Sequence, residues 1–271
     1  MRLVYFFLLI FFVTQQAYSF EAKPSDLKCE YLTNPIGIDV LSPRLSWKMS
    51  DTRQGARQTA YRVVVGTDSL EIVGKKVVLW ESGKITSSIN LINYTGKELK
   101  PFTKYFWSVE LWDQDGNPSA PGKIASFETG FMKSANWKGT WISDKNNVDL
   151  LPAPYFRKVF EAKKKVKSAR AYIAAGGLYE LYLNGGKIGN HRLDPMYTRF
   201  DRRTLYVTYD VTDHLNNGKN AIGVLLGNGW YNHQSIAVWD FDKAPWRARP
   251  TFCLDLRVTY EDGNRRDYHL W

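Results

Sequence analysis

The sequence predicts an all-β chain built as two consecutive β-sandwiches. Three observations predict it. Apolar and aromatic residues recur with a period of two in short runs, as in TLYVTYDV (Thr204 to Val211). Glycine, proline, asparagine and aspartate separate those runs as turn residues. The 271 residues, 44% hydrophobic and 15% aromatic, supply apolar material for two cores, each in a domain of about a hundred residues.

Residues 1–19 stand apart from that pattern. Arg2 precedes an apolar run from Leu3 to Val13, and Ala17-Tyr18-Ser19 forms an A-x-S cleavage site, the three parts of a secretory signal. The run is too short to span a bilayer. Cys29 follows Asp26-Leu27-Lys28 rather than small residues, so no lipoprotein attachment is expected. An exported, periplasmic or extracellular protein without a membrane span is the expectation. The formal charge is +10, and Arg2 is the sole charged residue among the first nineteen, so the mature chain would carry +9. The densest basic cluster, Lys163-Lys164-Lys165 with Lys167, is expected in a solvated connection between strands. No module interleaves basic residues with exposed aromatics, which argues against nucleic acid as a partner.

Residues 20–131 read as a first sandwich of about seven short strands, fibronectin type III-like or immunoglobulin-like. Arg44 to Met49, Ala60 to Thr67, Val78 to Lys84, Ser88 to Tyr94, Thr103 to Trp112 and Ile124 to Thr129 are its strand candidates. Trp47 and Trp107 are expected in its core. Asp115-Gly116-Asn117-Pro118 is a turn, and Asn93-Tyr94-Thr95 fits a glycosylation acceptor. From Ser25 to Gly130 there is no histidine, and the carboxylates fall mostly in turns. A structural role is expected there.

Residues 132–271 form the second sandwich, entered through WKGTWIS (Trp137 to Ser143). Tyr155 to Phe160, Leu178 to Leu183, Thr204 to Val211, Asn220 to Leu226 and Thr251 to Tyr260 are strand candidates. Asn184-Gly185 after LYELYL is a tight-turn signal. Asn220 to Leu226 (NAIGVLL) reads as a strand buried on both faces. Glu261-Asp262-Gly263-Asn264 is a hairpin turn, and the strand begun at Arg265 runs uncapped to Trp271, from which a truncated fragment is expected. Cys29 and Cys253 fall in different domains, so no disulfide is expected, and Cys253 reads as core. Two long loops, His191 to Arg203 and Gly227 to Gln234, are rich in Asn, Asp, Arg and aromatics and poor in aliphatics. Function is expected on them.

PRLSW (Pro43 to Trp47), QTAYRVVV (Gln58 to Val65), FETG (Phe127 to Gly130), YELYLNG (Tyr179 to Gly185), TLYVTYDVT (Thr204 to Thr212) and LGNGWY (Leu226 to Tyr231) resemble, in this order, the N-terminal portion of bacterial α-L-rhamnosidases. The resemblance implies a fibronectin-like domain, a jelly-roll-like second domain, and a large (α/α)₆ catalytic barrel that is missing here. It also implies glycoside hydrolysis with inversion. Asp194 to Thr198 (DPMYT) departs from the pattern, since relatives tend to have Gly-Trp after the proline. Some related modules bind rhamnose with calcium. Their calcium ligands are not carried over onto particular positions of this sequence, so the resemblance leaves calcium open and no metal or other cofactor is assigned.

Glycoside cleavage needs two carboxyl groups about 5 to 10 Å apart. Asp194, Asp201, Asp210, Asp213, Asp240 and Asp242 are better explained as loop and strand-end carboxylates that accept backbone hydrogen bonds, so no catalytic residue is assigned. His191, His214 and His233 lack metal-ligand spacing, and GNGW is no phosphate loop, because no Lys-Ser or Lys-Thr follows it. Sugar binding fits the two loops better. Pyranose C–H faces pack on aromatic rings while hydroxyls need polar side chains. Trp230, Tyr231 and Trp239 are the candidate platforms; Asn190, His191, Asp194, Asn228 and Asn232 are the candidate hydroxyl partners. The alternative is that Trp230 and Tyr231 pack beneath the loop or against the missing barrel. Rhamnose-containing glycans, including acidic pectic ones given the positive charge, are the expected partners. On expression in a bacterium the chain should begin at Phe20; an intact mass that retains residues 1–19 would count against the signal.

Overall fold

A computed structural model describes residues 22–74, 78–119, 122–236 and 239–269. The expected signal segment lies outside them, as does Trp271. The fold is all-β. The chain divides into two compact units, one made of the segment up to Thr33 with Arg44–Lys97 and Tyr105–Ser126, the other of Asn34–Pro43, Glu98–Lys104 and Phe127–Trp271.

Residues 22–130 contribute the strands β1 (Lys23–Cys29), β2 (Ile36–Ile38), β3 (Arg44–Ser50), β4 (Ala60–Gly66), β5 (Trp80–Glu81), β6 (Ile85–Thr86), β7 (Leu91–Asn93), β8 (Lys104–Trp112) and β9 (Ala125–Thr129). One sheet has the order β1-β3-β7; the other runs β2-β9-β8-β4-β5, with β6 also on β4. Strict alternation on β8 buries Tyr105, Trp107, Val109 and Leu111 on one side. Trp47 is buried as expected, 5.2 Å from the Tyr61 ring. Its indole N–H donates to Gln58 Oε1 at 2.9 Å, which satisfies the one polar atom of a buried indole.

Three local features differ from expectation. Val78 to Lys84 pairs only over Trp80–Glu81, with Gly83 at φ 68° just beyond. β1 carries a proline and an aspartate that hide its strand character, and its pairing with β3 overrides local preference. A five-residue helix, α1 (Ser69–Val73), is capped by the Asp68 carboxylate accepting from Leu70 N at 2.7 Å.

The second sandwich contains β10 (Tyr155–Ala162), β11 (Val166–Gly176), β12 (Leu178–Leu183), β13 (Gly186–Lys187), β14 (Tyr206–Asp210), β15 (Gly218–Gly227), β16 (Thr251–Tyr260) and β17 (Arg265–His269). They form two antiparallel sheets, β10-β15-β12-β13 and β14-β11-β16-β17. Ala171, Ile173 and Ala175 of β11 share one core with Leu181 of β12, Ile222, Val224 and Leu226 of β15, and Leu254 and Leu256 of β16. Asn184 and Gly185 take φ of 51° and 88°, the left-handed pair that a two-residue hairpin requires, and they join β12 to β13.

Two expectations are corrected. β15 is not buried on both faces: Ile222, Val224 and Leu226 are buried, whereas Ala221, Gly223 and Leu225 alternate outward and are half-exposed. Its outward residues are small or apolar, which disguises the alternation. Lys167 lies on β11 rather than in the connection, which is limited to residues 163–165. Both cysteines are buried free thiols. Burial raises each to a pKa of about 12. Ile173→Ala, at a fully buried position of the central strand β11, should lower unfolding stability by about 3 kcal/mol, read as a shift of the urea midpoint.

Candidate functional site

The strand ends dictate where the site forms. Gly177 connects β11 to β12 and Asn228 follows the last residue of β15, and the loop after β13 returns to the same strand end through the Tyr179–Asp194 bridge, so the two long loops meet over Leu178. They enclose a cleft of about 440 Å³ lined by Leu178, Leu193, Pro195, Tyr197, Trp230 and His233 among others. Trp230 is 43% exposed, and its indole stacks on the His233 ring at 5.2 Å and 23°. Tyr231 points the other way. Its ring meets Phe200 edge-on at 5.2 Å and lies so close to Gly176 that an added Cβ would come within 2.9 Å of it. Of the three expected platforms, Trp230 therefore lines the cleft, whereas Tyr231 packs against Phe200 and Gly176 and Trp239 is not among the lining residues.

Phe241 organises the aromatic residues around this cleft. Its ring lies 5.3 Å from Trp230, 5.7 Å from Tyr197, 5.9 Å from Trp239 and 6.2 Å from Trp246. Trp239 is exposed at the edge of that cluster with φ 88°. Edge-to-face contacts, as those with Tyr197 and Trp239 are, fix ring orientation as well as burying area.

The polar candidates have different fates. His191 Nδ1 is 2.9 Å from Asp194 Oδ2, which also accepts from the Tyr209 hydroxyl at 3.2 Å. Since Tyr209 gives its proton to Asp194, Tyr179 donates to Tyr209 across 2.9 Å. Burial raises the pKa of both phenols, so this relay stays protonated. The Asp194 carbonyl also accepts from Tyr179 N at 3.0 Å, tying the loop to β12. Asn190 is exposed. Asn228 donates to Leu151 O at 3.2 Å. Asn232 is not at the surface as expected: it is fully buried and donates to Val148 O at 2.8 Å and to Asn228 Oδ1 at 3.1 Å. Its amide closes the loop instead of facing a ligand. Asp201 pairs with Arg199, Asp210 caps Thr212, and Asp240 pairs with Lys243. Among the described residues no group of three His, Cys, Asp or Glu side chains converges.

Two family models match this architecture. "Alpha-L-rhamnosidase N-terminal domain" covers residues 164–267, and "Rha78A-like, N-terminal immunoglobulin domain" covers residues 24–133. The chain carries the N-terminal domains of the α-L-rhamnosidase family. An α-L-rhamnosidase of Formosa agariphila is 34% identical over 87% of this chain, and one of Alteromonas sp. is 32% identical over 90%. The solved α-L-rhamnosidase of Dictyoglumus thermophilum superimposes with a TM-score of 0.82 at 41% identity over 91% of the chain. The chain spans 27% of the length of those two relatives and 28% of the solved structure.

Within this rhamnosidase N-terminal domain, the cleft loops hang on a segment with no expected role. Arg249 is buried; its guanidinium pairs with both Asp144 oxygens at 2.9 and 2.7 Å and donates to the carbonyls of Leu150 and Pro152. That fastens residues 144–152, whose Val148 carbonyl receives Asn232 and Gln234, and whose Asp149 receives Arg247 at 2.6 Å. Phe241, Trp246 and the Asp144–Arg249 pair were not expected. The aromatic content of the loops signals the rings, whereas nothing local signals a pair 105 residues apart.

Arg249 holds the Asp144 carboxyl down to a pKa of about 2, from an ordinary value near 3.8. A depressed carboxylate contributes stability that is complete above its unfolded pKa and is lost as pH falls through its folded one. The melting temperature of the parent should therefore carry a component that disappears between about pH 4 and 2 and is absent from Asp144→Asn. At pH 7, Asp144→Ala should cost on the order of 3 kcal/mol, because it leaves a buried guanidinium unpaired; urea unfolding measures both.

Proposed function

We propose that the chain is the exported N-terminal accessory portion of an α-L-rhamnosidase, with its catalytic, inverting barrel supplied by sequence outside these residues. The second domain binds terminal rhamnose of glycans, acidic pectic ones included, in the loop cleft. One observation carries the sugar reading: the Trp230 ring, stacked on His233 and flanked by Phe241, forms a wall of an open cleft between the two loops. An indole held from behind offers a flat face to pyranose C–H groups at little entropic cost. Asn190, His191 and Asp194 on one loop and Asn228 on the other supply hydroxyl partners. The engagement of Asp201, Asp210 and Asp240 by neighbouring side chains supports the absence of a catalytic pair, and the family and its relatives' greater length support the accessory role.

Calorimetric titration of the chain with L-rhamnose and rhamnose-containing pectic oligosaccharides, with and without chelator, tests the cleft. Trp230→Ala should weaken binding by about 1 to 3 kcal/mol and leave the melting temperature close to the parent's. A large drop in melting temperature with no binding by the parent would make Trp230 a packing residue. The chain alone should release no rhamnose from an aryl rhamnoside; turnover abolished by a point change within it would overturn the assignment of catalysis elsewhere.

A further inference from the structure

We propose that the outward face of the β10-β15-β12 sheet is a second glycan site, separate from the loop cleft, that takes an oligosaccharide bearing a carboxylate, a uronic-acid-containing chain. Ala221, Gly223 and Leu225 of β15 form the floor of a trough of about 460 Å³. The register sets its walls: Arg157 of β10 and Tyr182 of β12 both stand opposite Gly223, and Tyr155 stands opposite Leu225. The four steps of strand from Ala221 to Leu225 give it a length of about 14 Å, enough for a short run of sugar rings in line.

Gly223 is the telling residue. Its φ is not in the left-handed region, and a Cβ added there would meet only Phe156 O and Tyr182 Cβ, each at an ordinary 3.7 Å. Neither the backbone nor the packing requires glycine. A glycine inside a strand weakens it, and it marks a place where a ligand or another backbone comes close. Here its effect is to keep the trough open between Arg157 and Tyr182. Tyr155 is 79% exposed, so its ring offers a stacking face. Tyr182 is held in place: its hydroxyl donates to Glu180 Oε2 at 2.5 Å, and Glu180 also accepts from Lys187.

The charge selects the sugar. The Arg157 guanidinium is exposed and has no ion-pair or hydrogen-bond partner among the described residues, and a guanidinium pairs most favourably with a carboxylate through two parallel hydrogen bonds. Beyond the tyrosine wall, Glu180 faces both Lys187 and Arg192, so the rim keeps an excess of positive charge. A neutral glycan would stack on the tyrosines and leave Arg157 unused.

The test titrates the 271-residue chain with a galacturonic-acid tetramer and, in parallel, with cellotetraose. The parent should bind the acidic tetramer and discriminate against the neutral one, and added salt should weaken the binding. Arg157→Gln, a surface change that leaves the fold alone, should weaken it about tenfold. Gly223→Phe should abolish it at an unchanged melting temperature, while Trp230→Ala should leave it as it is. The last comparison separates failure here from failure of the loop cleft. Equal binding of the two tetramers, no binding at millimolar tetramer, or indifference to both trough variants would overturn the proposal. So would a dimer by sedimentation that Gly223→Phe disrupts, since a second copy would then own the face.

Discussion

The buried pair between Arg249 and Asp144 is the constraint on which the cleft depends. A guanidinium removed from water must satisfy its donors or the loop that holds it opens. Arg249 does so with one carboxylate and two carbonyls, all supplied by the segment that enters the second domain. Once that segment is fixed, its remaining carbonyls become acceptors for Asn232 and Gln234. Sequence that looks like a linker is thus the inner support of a loop more than eighty residues away.

Aromatic packing then converts a fixed backbone into a shaped surface. Successive residues Trp230 and Tyr231 have opposite duties, one presenting a face and the other filling the space beneath, and glycine at position 176 lets the lower ring approach the strand end. Phe241 touches rings from both loops and from the segment after them, so the cleft wall is a cooperative assembly rather than a set of independent side chains. A chain of phenols from Tyr179 through Tyr209 to Asp194 holds the other loop by the same economy of few, well-satisfied contacts.

Much of this was legible in the sequence because strands with one buried face write a period of two. TKYFWSVELW and LYELYL show it plainly, and Asn184-Gly185 names its own turn. The family motifs pointed to the family whose N-terminal domain models match the chain. What stayed hidden has a physical reason in each case. β1 is defined by its partner and not by its composition. β15 concealed its exposed face behind alanine, glycine and leucine, which look like core. Asn232 resembled a surface residue of a polar loop, yet its amide is buried because a carbonyl distant in sequence needs a donor. Arg249 and Asp144 could not be paired before the fold was known.

Each of the two units holds one cysteine, Cys29 in the first and Cys253 in the second, and both thiols are buried and shifted far from reactivity. Neither can exchange or be alkylated while its unit stays closed. The molecule therefore carries a built-in pair of silent reporters: a brief pulse of thiol reagent, followed by peptide mapping, would register the opening of each sandwich on its own clock, with no label introduced and no residue changed.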